Sequence, residues 1–147
     1  MFVGKHRHTV DEKLRLKLPS QFRDSISGDK LIIAKGSGVP CLTVYTEQAW
    51  NEFIEPIRKQ AAYDYNYQRY LRLLASEAVS IRIDTQNRIM LPRDLMETVG
   101  ITKDVIVAGV YSTFELWEPA QYDNEMQEVS EKEPEFLNYR VRQEHSS

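Results

Sequence analysis

The segment VDEKLRLKLP at residues 10–19 returns as IDTQNRIMLP at residues 83–92, a constant offset of 73 positions. The offset holds without a gap, since LIIAKG at 31–36 falls on DVIVAG at 104–109 and Leu42-Thr43-Val44 falls near Glu115-Leu116-Trp117. A chain of this kind folds as two copies of one unit. In each copy an acid and an arginine stand four residues apart, Asp11 with Arg15 and Asp84 with Arg88, between two short β-branched or leucine-rich runs. A hairpin would present them there, and these loops are the candidate functional elements.

The pattern within a copy reads strand, strand, short helix, strand, strand. Alternation in His6–Val10 and Arg15–Leu18 predicts two strands joined by a turn through Glu12 to Leu14. Pro19 suits the first position of a helix, where a missing N–H costs nothing, and the helix runs to Ile26 before Gly28. Leu31–Ala34 and Leu42–Tyr45 are strands separated by Gly36-Ser37-Gly38. Thr46 is an N-cap candidate for a helix with Trp50, Phe53, Ile54 and Ile57 on one face. A second helix, from about Ala61, carries Tyr63, Tyr67, Tyr70, Leu71 and Leu74 at helical spacing; packing in the core or between subunits is preferred over base stacking. Trp50 and Trp117 are read as core or interface anchors in corresponding regions of the copies. The second copy opens at Ala78 and closes with strands at Val105–Val110 and Phe114–Trp117, and Pro119 starts a terminal helix. The division is a first repeat at 5–48, linking helices at 49–76, a second repeat at 77–122 and an acidic C-terminal helix and tail at 123–147. From about Glu131 the chain is polar without an apolar face and is expected to fray up to Ser147.

A chain of 147 residues, 41% hydrophobic and 28% charged, can bury one ordinary core. No apolar run approaches the roughly 18 to 20 residues that cross a bilayer, and the start MFVGKHRH lacks a signal-peptide stretch, so a cytoplasmic protein is expected. The single Cys41 excludes an internal disulfide or a multi-thiolate metal site and reads as a small buried residue at a strand start. The net charge of −3 hides a strong polarity. Residues 1–23 hold Lys5, Arg7, Lys13, Arg15, Lys17 and Arg23 against Asp11 and Glu12; residues 123–135 hold six acids against Lys132. An anionic partner at the first copy is therefore compatible with an acidic protein.

These motifs together resemble the MraZ family of bacterial transcriptional regulators, over roughly residues 1–122. The resemblance rests on the Met1-Phe2-Val3-Gly4 start, on His8 ahead of Asp11-Glu12-Lys13-Leu14-Arg15, on the second box from Asp84 to Pro92, and on Phe114-Glu115-Leu116-Trp117. It implies an α+β fold of two pseudo-symmetric AbrB-like swapped-hairpin units forming one small barrel-like core with flanking helices. It further implies a homo-oligomer closed into a ring and nucleoid-associated binding of double-stranded promoter DNA through both Asp-x-x-x-Arg loops. Family members regulate the division and cell-wall gene cluster, usually as repressors, at short direct repeats. One departure stands out: the family commonly has Gly before the Arg, where this chain has Leu14 and Asn87. Asn accepts left-handed dihedrals and Leu does so poorly, so the first turn is expected to differ in shape from the second.

The DNA-contacting residues expected are Arg15, Arg88, Lys13, Arg7, Lys5 and Lys17, with Asp11 and Asp84 orienting the loops. An arginine fork can bridge phosphate oxygens or pair with the O6 and N7 edge of guanine. A carboxylate facing phosphate is repelled, so the aspartates serve the turn. The plainer reading is a local salt bridge bracing each turn, and the two roles are compatible. His6 and His8 share a strand face, but no acid or thiol cluster completes a metal site; His8 is expected to make a structural hydrogen bond. No catalytic constellation, cofactor motif or small-molecule site is read, and no enzyme activity is expected. The competing function is a ring-forming protein scaffold that has lost DNA binding because Leu14 disturbs the first loop.

Overall fold

Leu16 is buried between the more exposed Arg15 and Lys17, and Ile89 between the more exposed Arg88 and Met90, and that period of two determines which face of each short strand turns inward. The structure, a computed structural model, describes residues 1–146, with side chains described through residue 140; the expected fraying at Ser147 lies outside the described residues. The first copy supplies β1 (Lys5–Thr9), β2 (Arg15–Lys17), α1 (Ser20–Asp24), β3 (Lys30–Lys35) and β4 (Leu42–Thr46). Helices α2 (Glu47–Ala61) and α3 (Tyr65–Glu77) follow. The second copy supplies β5 (Val79–Arg82), β6 (Arg88–Met90), α4 (Arg93–Thr98), β7 (Asp104–Gly109) and β8 (Thr113–Trp117), ahead of α5 (Pro119–Glu131) and α6 (Glu133–Ser146).

The copies exchange strands. β1 pairs with β7 of the other copy and β5 pairs with β3, all antiparallel, while β4 and β8 form the seam, so the large sheet runs β1-β7-β8-β4-β3-β5. β2 pairs with β6 in a separate two-stranded ribbon, with Leu16 opposite Ile89. The turn after β1 therefore does not close a local hairpin ladder; β1 and β2 belong to different sheets and meet at a single bridge, Val10 to Leu16, as Ile83 meets Ile89 in the second copy.

The barrel-like core that the resemblance implied is not formed, because neither sheet closes on itself. The large sheet ends in two open edges, β1 and β5. The ribbon that could have joined those edges is only three residues per strand; Leu18 and Leu91 each donate one more bond across it, and Pro19 and Pro92, which have no N–H, then end it. The α+β arrangement of antiparallel sheets with flanking helices stands.

Under the ribbon lies one core shared by both copies, with Leu16, Ile89, Leu31, Ile33, Val105 and Val107 all fully buried. Full burial of such a side chain contributes about 1.5–3 kcal/mol, and Leu16→Ala, which also leaves a cavity, costs about 2–5 kcal/mol. Phe2 enters this core between Phe22 and Phe114, with ring centroids 5.3 and 5.1 Å away. Gly109 admits it: a Cβ there would sit 2.4 Å from the Phe2 carbonyl oxygen. Cys41 is buried as expected, and burial pushes its thiol up to about 12, so it stays protonated.

Thr46 caps α2 by accepting from the Ala49 N–H at 3.1 Å, and α2 continues through Pro56. α3 starts at Tyr65 rather than Ala61 because the Asp64 side chain accepts from the Asn66 N–H at 2.8 Å and fixes the start there. None of its residues is fully buried: Tyr67, Tyr70 and Leu73 remain exposed, so the tyrosine set is not core of this chain. Trp117 is buried on β8, whereas Trp50 lies on α2 against Tyr45 and Phe53; the two tryptophans do not occupy equivalent places. Pro119 begins α5, and the segment expected to fray from Glu131 continues as α6, with Phe136, Leu137 and Tyr139 exposed.

Candidate nucleic-acid interface

Aspartate is short enough to reach the amides two and four residues ahead, and each Asp-x-x-x-Arg turn is built on that reach. Asp11 Oδ1 accepts from the N–H groups of Lys13 and Arg15, both at 2.9 Å, while its Oδ2 accepts from Arg15 Nε at 2.8 Å. Asp84 repeats the pattern with Gln86 N–H at 2.8 Å, Arg88 N–H at 2.9 Å and Arg88 Nε at 2.9 Å. The backbone agrees as closely: the Asp11 N–H donates to the Arg15 carbonyl and the Asp84 N–H to the Arg88 carbonyl, both at 2.9 Å. The N–H of Arg15, ahead of any other influence, holds the Asp11 carboxyl below its ordinary value, and that of Arg88 does the same for Asp84. One carboxylate thus orients both a turn and a guanidinium. Because it engages only the Nε edge, the Nη groups of Arg15 and Arg88 make no hydrogen bond among the described residues.

Leu14 and Asn87, the two departures from glycine, adopt φ of 62° and 61°. The first turn therefore has the shape of the second, contrary to expectation. Two interactions hold Leu14 in the left-handed region: its side chain is half-buried against the core, and its carbonyl accepts from the Leu91 N–H at 2.8 Å. Reciprocally, the Leu18 N–H donates to the Asn87 carbonyl at 2.9 Å. The turns are interlocked across the pseudo-twofold relation of the copies, at opposite ends of the ribbon.

With Leu16 and Ile89 pointing inward, the outer face of the ribbon carries Arg15, Lys17, Arg88 and Met90. Lys17 stands opposite Arg88, and Arg15 opposite Met90. Of the expected contacts, the fold brings Arg15, Lys17 and Arg88 onto one face and puts Lys13 at the adjoining turn. It does not bring Lys5 and Arg7 there. They lie on β1, where Lys5 sits 5.3 Å from the Tyr122 ring and Arg7 pairs with Asp104 at 3.5 Å. His8 Nδ1–H donates to the Lys17 carbonyl at 2.6 Å, tying β1 to β2, and the His6 ring meets Phe22 edge-on at 5.4 Å.

Two contributors have no signal in the repeat. Arg23 donates from Nε to Asn87 Oδ1 at 3.2 Å and from Nη1 to the Ile26 carbonyl at 3.1 Å, bracing the second turn from the first copy. Its counterpart 73 residues on is the buried Met96, so the repeat could not point to it. Met90, 59% exposed opposite Arg15 on an otherwise cationic face, was legible only as the neutral counterpart of Lys17 in the repeat.

A family model described as "MraZ protein, putative antitoxin-like" matches the chain over residues 1–69 and 74–137, two segments whose starts reproduce the 73-residue offset. The chain belongs to the MraZ family. A "Transcriptional regulator MraZ" from Moorella thermoacetica is 34% identical over 132 residues, covering 90% of this chain and 91% of that protein. Proteins of the same description from Treponema denticola and Lachnoclostridium phytofermentans are each 33% identical, covering 91% and 92% of this chain and 91% and 97% of their own lengths. MraZ membership places the chain among transcriptional regulators rather than enzymes. Among the described residues no helix is long and apolar enough to cross a membrane.

Proposed function

We propose that this protein represses the division and cell-wall gene cluster by binding double-stranded promoter DNA as a closed ring, with the β2–β6 ribbon and its two turns as the contact surface. The observation that carries this reading is the pair of matching turns, each aiming an arginine whose Nη groups make no hydrogen bond among the described residues, on a face that also holds Lys17. Arg15 and Arg88 bridge phosphates or read guanine edges, and Lys13 and Lys17 add phosphate contacts. Asp11 and Asp84 hold the arginines in place and do not touch DNA. Lys5 and Arg7, on an edge strand, contribute at the flank.

One protomer neutralises few phosphates and binds weakly alone, since affinity and its salt dependence scale with the number neutralised. Ring closure repeats the ribbon along a rim, so adjacent direct repeats are met at high effective concentration. The exposed Tyr67, Tyr70 and Leu73 of α3 support association between subunits. The scaffold alternative loses its ground, because Leu14 leaves the first turn intact. Residues 5–48 and 77–122 act as the two DNA-facing repeats, 49–76 as the link and 123–147 as an appended tail, in a cytoplasmic, nucleoid-associated protein.

The test is binding of the chain's own upstream promoter across salt concentrations, with solution mass measured with and without DNA. Specific binding that strengthens with the number of direct repeats supports the proposal. A single isolated repeat bound as tightly as three or four contradicts it.

A further inference from the structure

We infer that Met90 is a base-reading residue that contacts the thymine C5-methyl group in the major groove, an inference that rests on the DNA-binding reading above. Three observations carry it. Met90 is 59% exposed on the outer face of the ribbon, directly opposite Arg15 and two residues from Arg88, so whatever the arginines meet, Met90 meets as well. Its position in the first copy holds Lys17, and an apolar side chain therefore interrupts a face otherwise made of cations. Its surroundings differ too. His8, which fixes the Lys17 carbonyl, has Ile81 as its counterpart, and next to Met90 lies a shallow 510 Å³ hollow bordered by Leu14, Ile81, Leu91 and Pro92.

A methionine offers nothing to phosphate. A two-stranded β-ribbon fits the major groove, where the thymine methyl is the apolar group displayed on base edges. The flexible, polarisable thioether adapts to such a contact without a fixed geometry, and the adjacent hollow leaves it room to turn. The ribbon then has two ends of different chemistry: Lys17 with Arg88 grips the backbone, while Met90 beside Arg15 distinguishes thymine from cytosine.

The experiment compares one promoter fragment synthesised with thymidine and again with deoxyuridine throughout, which removes only the methyl groups. The wild-type protein binds the thymidine fragment roughly three- to fivefold more tightly for each ribbon engaged, the worth of one apolar group withdrawn from water. Met90→Ala brings that ratio close to one and leaves the salt dependence unchanged. Met90→Lys also abolishes the preference, and it steepens the salt dependence by about 0.9 in slope for each ribbon, as an added phosphate contact does. An equal ratio in wild type and both variants overturns the inference while promoter binding itself survives. A fall in solution mass for Met90→Lys with the thymidine preference retained overturns it as well and assigns Met90 to a subunit contact. If the wild-type protein binds neither fragment at low salt, the DNA-binding reading fails together with the inference.

Discussion

The two Asp-x-x-x-Arg turns share a backbone and differ in what surrounds it. Their φ values and carboxylate contacts agree to within 1° and 0.1 Å. Yet the first turn has Lys13, Leu14 and Lys17, and the second has Gln86, Asn87 and Met90. Arg23 braces only the second, and His8 locks only the strand after the first. The aspartate makes the same contacts in both turns, and different neighbours complete each one, so the remaining positions diverge without changing the shape. A duplicated element can in this way keep one shape while its copies take on different parts of a recognition task.

The comparison breaks most readily at the arginines. Arg15→Ala and Arg88→Ala should each weaken promoter binding by about 1–3 kcal/mol, and the double variant by at least about thirtyfold. Intact promoter occupancy in the double variant, measured by anisotropy with folding checked by circular dichroism, would sink the proposed interface. The next largest effect comes from making the turns alike. Lys13→Gln with Lys17→Met gives the first copy the residues of the second and should reduce the salt slope by about 1.8 per engaged ribbon, since each lost phosphate contact removes about 0.9. An unchanged slope would mean that these lysines face solvent in the complex.

A smaller effect separates Leu14 from Asn87. A non-glycine residue in the left-handed region bears a penalty of about 1–2 kcal/mol, here offset by packing of the leucine side chain. Leu14→Gly should therefore be more stable than Leu14→Ala by about 1 kcal/mol in chemical denaturation, the reverse of the order found at ordinary positions. Should alanine prove the more stable, Leu14 is not strained in solution.

The repeat made the elements legible because each copy carries its own alternation, caps and prolines, and those act locally. Thr46 caps α2 as its spacing predicts, Asp11 and Asp84 each accept from the N–H four residues ahead, and family membership was readable from the same boxes. Pairing between strands was not legible. A three-residue strand such as β2 has no local preference between pairing with β1 and pairing with β6; the choice rests on burying Leu16 against Ile89 across the copies. The resemblance supplied the exchange of strands but also a barrel, which the short ribbon cannot close. Charge type grouped Lys5 and Arg7 with Arg15, Lys17 and Arg88, whereas the fold places the first two on β1 and the other three on the ribbon, because net charge along the sequence does not say which face of which sheet a residue occupies. Arg23 was missed for the corresponding reason: its contact with Asn87 spans 64 positions and has no copy.

The smallest effect tests what the turns have in common. In the folded chain both Asp11 and Asp84 are held below the ordinary carboxylate value, chiefly by the N–H groups of Arg15 and Arg88. A group whose folded value is depressed adds stability above its unfolded value and loses it as pH falls through the folded one. The contribution is therefore complete at neutral pH and fades only on the acid side of the ordinary aspartate range. Thermal stability followed from neutral to acid pH should decline less steeply in Asp11→Asn with Asp84→Asn than in the wild type, because the amides cannot titrate. Each single variant should remove a similar share of the acid decline, as two turns of one geometry require. If one aspartate accounts for nearly all of it, the turns are not equivalent in solution, and the differences between the copies reach down to the backbone itself.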